Sequence, residues 1–539
     1  MRFPPAILKL PLFLSHARIA PSMQSEFFNR FMTVSLIGSA LVGLNACQSD
    51  DPWNEARFEK LVSQSSATPW SLEKDNAAPQ DAKGRAETEA EKQFQALPKD
   101  GPNTLPSLVE FALDNNPTTR GEWQKAKSRA AQLGRIESLY LPTLSASGFG
   151  GYVQQIGYIN TERFRNTGPM MQGSLNLAWI LVDFGRRDAQ TESARRALMA
   201  SNYSFNRGIQ RVIFEVQDAY FSLDAKLALL QTAEQNLETA RVQLEAVEDR
   251  LIVGLATRPE MLLAKQQFTQ AQFALEAAGS ATFDAQSTLA RRVGLSAETE
   301  IKITSLQRLA LPEDMSAQVD ELIRTSIRGR PDLLAAVERV RGADADIKLA
   351  EAQFLPIVNA GAMVGQTRFW YDGNTSLGDP TTNQNFWGPE YSAGLNGSWL
   401  LFDGFERTNA VRQARADRAV AAADLEKMRL EATSEVWDSY FVHLAAIKQF
   451  AFGESLLKAS QDSYDSVFES YVNGLSNINN VLTAESALFT ARSTLIRTRA
   501  ELLASAAKLA FAVGSPEDTS RWTRKSNMAS KSSSTTPRE

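Results

Sequence analysis

Two halves of this chain can be laid over each other, and that repeat limits the fold more than any single motif does. Asn116-Pro117 and Leu141-Pro142 answer Arg330-Pro331 and Leu355-Pro356, and both pairs of prolines are 214 positions apart. The register then shifts by six: Trp179, Asp183, Arg187, Tyr220, Gly254, Leu255 and Gly294 recur 220 positions later as Trp399, Asp403, Arg407, Tyr440, Gly474, Leu475 and Gly514. The shift falls between Pro142 and Trp179, so a loop there is expected to differ in length between the copies.

Each copy carries the same signals in the same order. A helical segment, Leu108 to Leu141 or Val319 to Leu355, ends at a Leu-Pro, where proline forbids its continuation. Two strands follow. Leu175, Leu177 and Trp179 alternate with Ser174, Asn176 and Ala178, and the second copy keeps the phase with Leu395, Gly397 and Trp399 against Gly394, Asn396 and Ser398. Partner strands are expected from about Thr143 to Val153 and Ile357 to Thr367, with Gly-, Asn- and Thr-rich loops at Ile156 to Pro169 and Phe369 to Pro389.

A helix of unusual length comes next, from about Arg187 to Leu251 and from Arg407 to Tyr471. Its 65 residues make a rod of about 98 Å. Leu230, Ala233, Leu237, Ala240, Leu244, Val247 and Leu251 form a heptad seam, repeated through Phe450, Leu457, Tyr464 and Tyr471. A tight turn at Gly254 or Gly474 leads into a returning helix whose seam includes Met261, Ala264, Phe268 and Ala271. These are antiparallel coiled-coil hairpins. Thr257 and Glu260 predict a capping box for the first returning helix, and Ser476 or Asn477 would cap the second.

The ends read differently. The apolar run Phe31 to Leu44 is shorter than the roughly 20 residues of a membrane-spanning helix. It closes on Leu44-Asn45-Ala46-Cys47, an order that resembles a bacterial lipoprotein signal, with residues 1–46 removed and the Cys47 thiol accepting a lipid such as palmitate; a cleaved signal without lipid and a plain buried thiol are the alternatives. Met23 would begin a signal of normal length. Residues 47–103 read as an extended linker, 104–296 and 312–515 as the two repeats, and 516–539 as a disordered tail.

Composition removes most chemistry. With 57 Lys+Arg against 62 Asp+Glu, nothing favours a nucleic-acid partner. Two histidines, His16 and His443, and the single Cys47 leave almost no material for His-based catalysis, a metal centre or a disulfide, so no enzyme and no cofactor is expected. Asp183-Phe184-Gly185 matches a kinase triplet but lacks every accompanying nucleotide motif.

Four strands cannot close a barrel alone, since roughly eight is the practical minimum. A signal-bearing chain whose Leu175, Leu177, Trp179, Leu395 and Trp399 share one face points to several copies pooling strands in a membrane, with those side chains toward lipid and the tryptophans in an interfacial girdle. The competing reading is a soluble sheet packed on the helices.

This arrangement resembles the TolC-like outer-membrane efflux protein family, and within it the lipidated, OprM-like branch, over about residues 105–515. The resemblance rests on the duplicated order and on motifs at corresponding places. They are Tyr140-Leu141-Pro142 with Phe354-Leu355-Pro356, Trp179 to Arg187 with Trp399 to Gly404, and the tips Val253-Gly254-Leu255-Ala256-Thr257 and Val472-Asn473-Gly474-Leu475-Ser476. It implies an α+β membrane protein: a homotrimer with a 12-stranded outer-membrane β-barrel continued by a long periplasmic α-helical barrel. A periplasmic adaptor and an inner-membrane transporter would be its partners. The resemblance makes Val253, Gly254, Leu255, Thr257, Gly474, Leu475 and Ser476 the adaptor-docking residues. The second tip has Asn473 inserted between Val472 and Gly474. An acid six residues beyond the tip glycine would help close the periplasmic entrance; that position holds Glu260 in one copy and Asn480 in the other. Passive export of small molecules is the expected function. Type I protein secretion through the same fold, and a lipid-anchored coiled-coil spacer without a pore, are the alternatives.

Overall fold

The structure is a computed structural model that describes residues 60–71, 102–159, 162–307, 311, 318–375 and 380–515. Cys47, the expected signal 1–46 and the tail 516–539 lie outside the described residues. Helices α1 (Leu105–Asn115) and α2 (Pro117–Glu137) lead into strands β1 (Thr143–Ile159) and β2 (Glu162–Val182), then α3 (Arg186–Ile252) and α4 (Arg258–Val293). The second copy repeats this as α5 (Val319–Gly329), α6 (Pro331–Ala352), β3 (Ile357–Thr375), β4 (Pro380–Ser398), α7 (Glu406–Val472) and α8 (Ile478–Val513).

Each expected leading helix is in fact two. Asn116 and Arg330 sit in extended backbone, ψ 125° and 123°, because a following proline disfavours the helical region, and Pro117 and Pro331 then start new helices at the position that needs no N–H. The strands also run further than the alternation indicates. Most of Ile156 to Pro169 and Phe369 to Pro389, expected as loops, pairs in continuous antiparallel register, for example Tyr152 with Pro169 and Phe369 with Phe386. Sequence alternation fades there because Gly, Asn and Thr occupy both faces, while the backbone ladder needs no alternation. The length difference between the copies is shared rather than confined to one loop: β1 has 17 residues and β3 has 19.

α3 and α7 each run 67 residues, about 100 Å of rod. Both begin at a sharp elbow where Phe184 and Phe405 take positive φ, 52° and 70°, a strained conformation for a residue with a side chain. A buried ion pair fixes each elbow. Asp183 accepts from the Arg187 backbone N–H and from its Nε, at 3.0 and 2.7 Å, and Arg187 Nη1 also donates to Ile180 O and Leu139 O. Asp403 and Arg407 repeat the clamp.

The core sits where the short helices meet the middle of the rods. Leu108, Val216, Tyr220, Leu289 and Val293 are buried together in the first copy, and Leu322, Val436, Leu509 and Val513 in the second. Arg330 ties the second copy together: it donates to Glu435 Oε2 at 2.6 Å, to Asp332 Oδ2 at 2.7 Å and to Ala512 O at 3.0 Å, while Arg207 of α3 reaches these two acids from the first copy, 3.5 Å from Asp332 and 3.8 Å from Glu435. Within the stretch read as a linker, residues 60–71 pack on the rods. Trp123 Nε1 donates to Ser63 O, and Asn206 exchanges two hydrogen bonds with the Trp70 backbone.

Candidate functional site: two hairpin tips and an open sheet

α3 and α7 end identically. At each tip a glycine takes the left-handed conformation, φ +75° at Gly254 and +77° at Gly474. Gly254 N donates to Leu251 O and Leu255 N to Arg250 O; Gly474 N and Leu475 N repeat this to Tyr471 O and Ser470 O. This paired pattern satisfies the last helical carbonyls and needs glycine at one position only. Because α3 stops at Ile252 and α7 at Val472, Asn473 occupies the place of Val253. The expected insertion of Asn473 is therefore a substitution, and the two tips match residue for residue.

Leucine is what the turn does not require. Leu255 is 69% exposed and Leu475 84%, with Val253 and Val472 also exposed, so each tip presents an apolar knob on a rigid turn. Thr257 makes the expected capping box: Glu260 Oε2 accepts from Thr257 N at 2.6 Å and from its Oγ1 at 2.9 Å. Those bonds, the backbone one foremost, hold the Glu260 carboxyl below its ordinary range. In the second tip Asn477 is the cap, and Asn480 donates to Ser476 Oγ at 3.1 Å. Glu260 and Asn480 thus hold equivalent positions, each tied back to its own turn. The two hairpins meet just behind the tips, where Val247, Ala264, Ile478 and Val481 are buried together and the Arg250 guanidinium lies over the Tyr471 ring.

At the other end the strands form one antiparallel sheet in the order β1-β2-β3-β4, so β1 and β4 are both left as edges. The register sorts its faces. Leu144, Leu177 and Ala362 align on one face with Leu175, Val364 and Tyr391, and most of these side chains are exposed. Leu395 and Trp179 belong to that face too, both exposed. Trp399 follows the last residue of β4. The two indoles do the same thing: Trp179 Nε1 donates to Tyr140 O and Trp399 Nε1 to Phe354 O. The opposite face is largely polar. Ser147 bonds Ser174, Asn176 bonds Ser147, and Glu390 accepts from Thr367 and Gln172.

His443 belongs to the core. Burial pushes it down to about 4, so it stays neutral at ordinary pH with Nδ1 2.9 Å from Ser505 Oγ. Among the described residues no cluster of His, Cys, Asp and Glu has the arrangement of a metal site, and no helix is long and apolar enough to cross a membrane. Sequence reasoning missed the elbow clamps, although an Asp and an Arg four apart recurring 220 positions later was a readable signal. The contacts of Arg330 and Arg207 with Glu435, far apart in the chain, left no local trace beyond Arg330 and Asp332 themselves.

The sequence pattern that defines outer membrane efflux proteins matches residues 108–295 and 322–515. Protein CyaE of Bordetella pertussis is 26% identical over 336 residues, 62% of this chain and 68% of CyaE. Outer membrane protein OprJ of Pseudomonas aeruginosa is 26% identical over 393 residues, 71% of this chain and 78% of OprJ. In fold, the chain is similar to the crystal structure of the outer membrane protein VceC from Vibrio cholerae, with a TM-score of 0.64 at 20% identity over 76% of this chain and 96% of VceC.

Proposed function

The chain belongs to the outer membrane efflux protein family, and on that premise we propose that three copies pool their four-stranded sheets into one 12-stranded barrel in the outer membrane. The observation that carries this reading is the sheet itself, with one exposed apolar face, one polar face and two unpaired edges. An isolated sheet of that kind aggregates; a closed ring of three has no edges, sets its apolar face against lipid and its polar face against water. The rods extend away from the sheet and continue the conduit into the periplasm. α7 supports the grouping, since Trp437, Phe441 and Phe452 stay exposed on one copy and gain cover from a neighbour.

The protein is an outer-membrane efflux channel, and transport energy comes from elsewhere. Leu255 and Leu475 at the tips receive a periplasmic adaptor that links the channel to an inner-membrane transporter, and acyl chains on Cys47 hold the mature N-terminus to the membrane. Glu260 and Asn480 ring the entrance. Small molecules are the cargo. Cells lacking this gene should retain a membrane-permeant dye several-fold more than the parent, and the native gene should restore efflux. Normal dye efflux together with loss of a secreted protein would instead assign the channel to type I secretion.

A further inference from the structure

The seam between the two hairpins contains a buried layer that its apolar neighbours do not explain. Glu485 of α8 is 4% exposed, yet neither carboxylate oxygen has a hydrogen-bond partner among the described residues. Beside it lies Gln243 of α3, whose amide oxygen and nitrogen are shielded from water and equally unpartnered. Both residues sit one helical turn behind the apolar cluster at the tips, Glu485 after Val481 and Gln243 before Val247. Four orphaned polar atoms in one layer are a heavy cost unless something pairs them.

A proton completes the pairing of these four atoms. A carboxylic acid donates its O–H to an amide oxygen while its carbonyl accepts from the amide N–H, so a neutral Glu485 satisfies both groups of Gln243 at once. A carboxylate can accept the Gln243 amide N–H but has no donor for the Gln243 oxygen, so the ionised pair has one hydrogen bond fewer than the neutral one. The surroundings add one hydroxyl and no cation. α3 contributes only the uncharged Gln243; α7 contributes the Tyr464 hydroxyl, with Asp465 beyond it; and on α8 itself Arg492 donates to Gln461. No cation pairs with Glu485 among the described residues. The layer also breaks the duplication, since the positions 220 residues away hold an exposed Lys265 and Ser463.

We infer that Glu485 and Gln243 form a proton-dependent latch across the hairpin seam, closed when Glu485 is neutral and loosened when it ionises. The latch lies within one chain and does not depend on the channel reading; only its effect on flow does. Burial, with Gln243 opposing it in smaller measure, raises the carboxyl above its ordinary value, so the folded seam keeps a proton that the unfolded chain has released. The seam is therefore tightest on the acid side and weakens as pH rises through the folded value.

Hydrogen exchange of the full-length protein in detergent, corrected for intrinsic rates, tests this between pH 5 and pH 8. Amides around residues 243–251 and 478–485 should lose protection several-fold as pH rises. The same amides in E485Q, which carries a neutral side chain at every pH, should stay protected throughout. E485L serves if E485Q does not fold, with the same flat profile expected. Native protection that ignores pH, or a neutral variant that follows the native slope, overturns the latch.

Discussion

Gly254 and Leu255 are neighbours, yet the turn needs only the first, and this separates geometry from recognition at single residues. Gly254→Val forces a branched side chain into left-handed backbone and should lower stability by about 1–2 kcal/mol in thermal unfolding. Leu255→Asp with Leu475→Asp leaves the backbone bonds intact and should hardly move stability, while abolishing cellular efflux by blocking the adaptor. Efflux that survives this double substitution would reduce the tips to mere turns. Cys47→Ser should remove incorporation of labelled palmitate and leave the protein in the outer-membrane fraction; a label that persists places the lipid elsewhere. The Thr257–Glu260 box was legible residue by residue, because its bonds span three positions. Glu485 was not, since a lone acid on a helix looks solvated until the facing helix is in place.

Among the elements, the sheet makes the sharpest demand on its two faces. Leu177→Arg sets a charge on the apolar face, where lipid contact should cost about 2–4 kcal/mol and reduce assembled protein, whereas Asn176→Arg on the polar face should assemble normally. Equal tolerance of both would contradict the face assignment; heat-modifiable mobility of membrane extracts reads either result. The rods, their tips and the strand phase were readable because each repeats a short period. The hairpin ends were not, since residues such as Gly157, Asn166 and Asn374 carry no alternation while the ladder continues through them. The breaks at Pro117 and Pro331 were visible residues given too little weight. Beside the junction of the copies, Arg330→Ala strands the Ala512 carbonyl and leaves Asp332 and Glu435 only the longer contacts to Arg207, and should cost about 3 kcal/mol in denaturant unfolding.

For the whole molecule, duplication gives each chain two of everything a conduit needs: two strand hairpins, two rods and two tips, joined by a buried charged junction. On the proposed reading three such chains would supply a closed ring with no exposed edge, whereas one chain leaves β1 and β4 as edges. The repeat was legible from the 220-residue offset, and the need to pool strands from the count of four, whereas the exposed apolar side of α7 became visible only once the helices were packed. The most direct test is the mass of the detergent-extracted oligomer, determined on the same sample whose single-channel conductance is recorded in planar bilayers. The shared-barrel account predicts a trimer that conducts. A stable monomer or dimer with no conductance would contradict it.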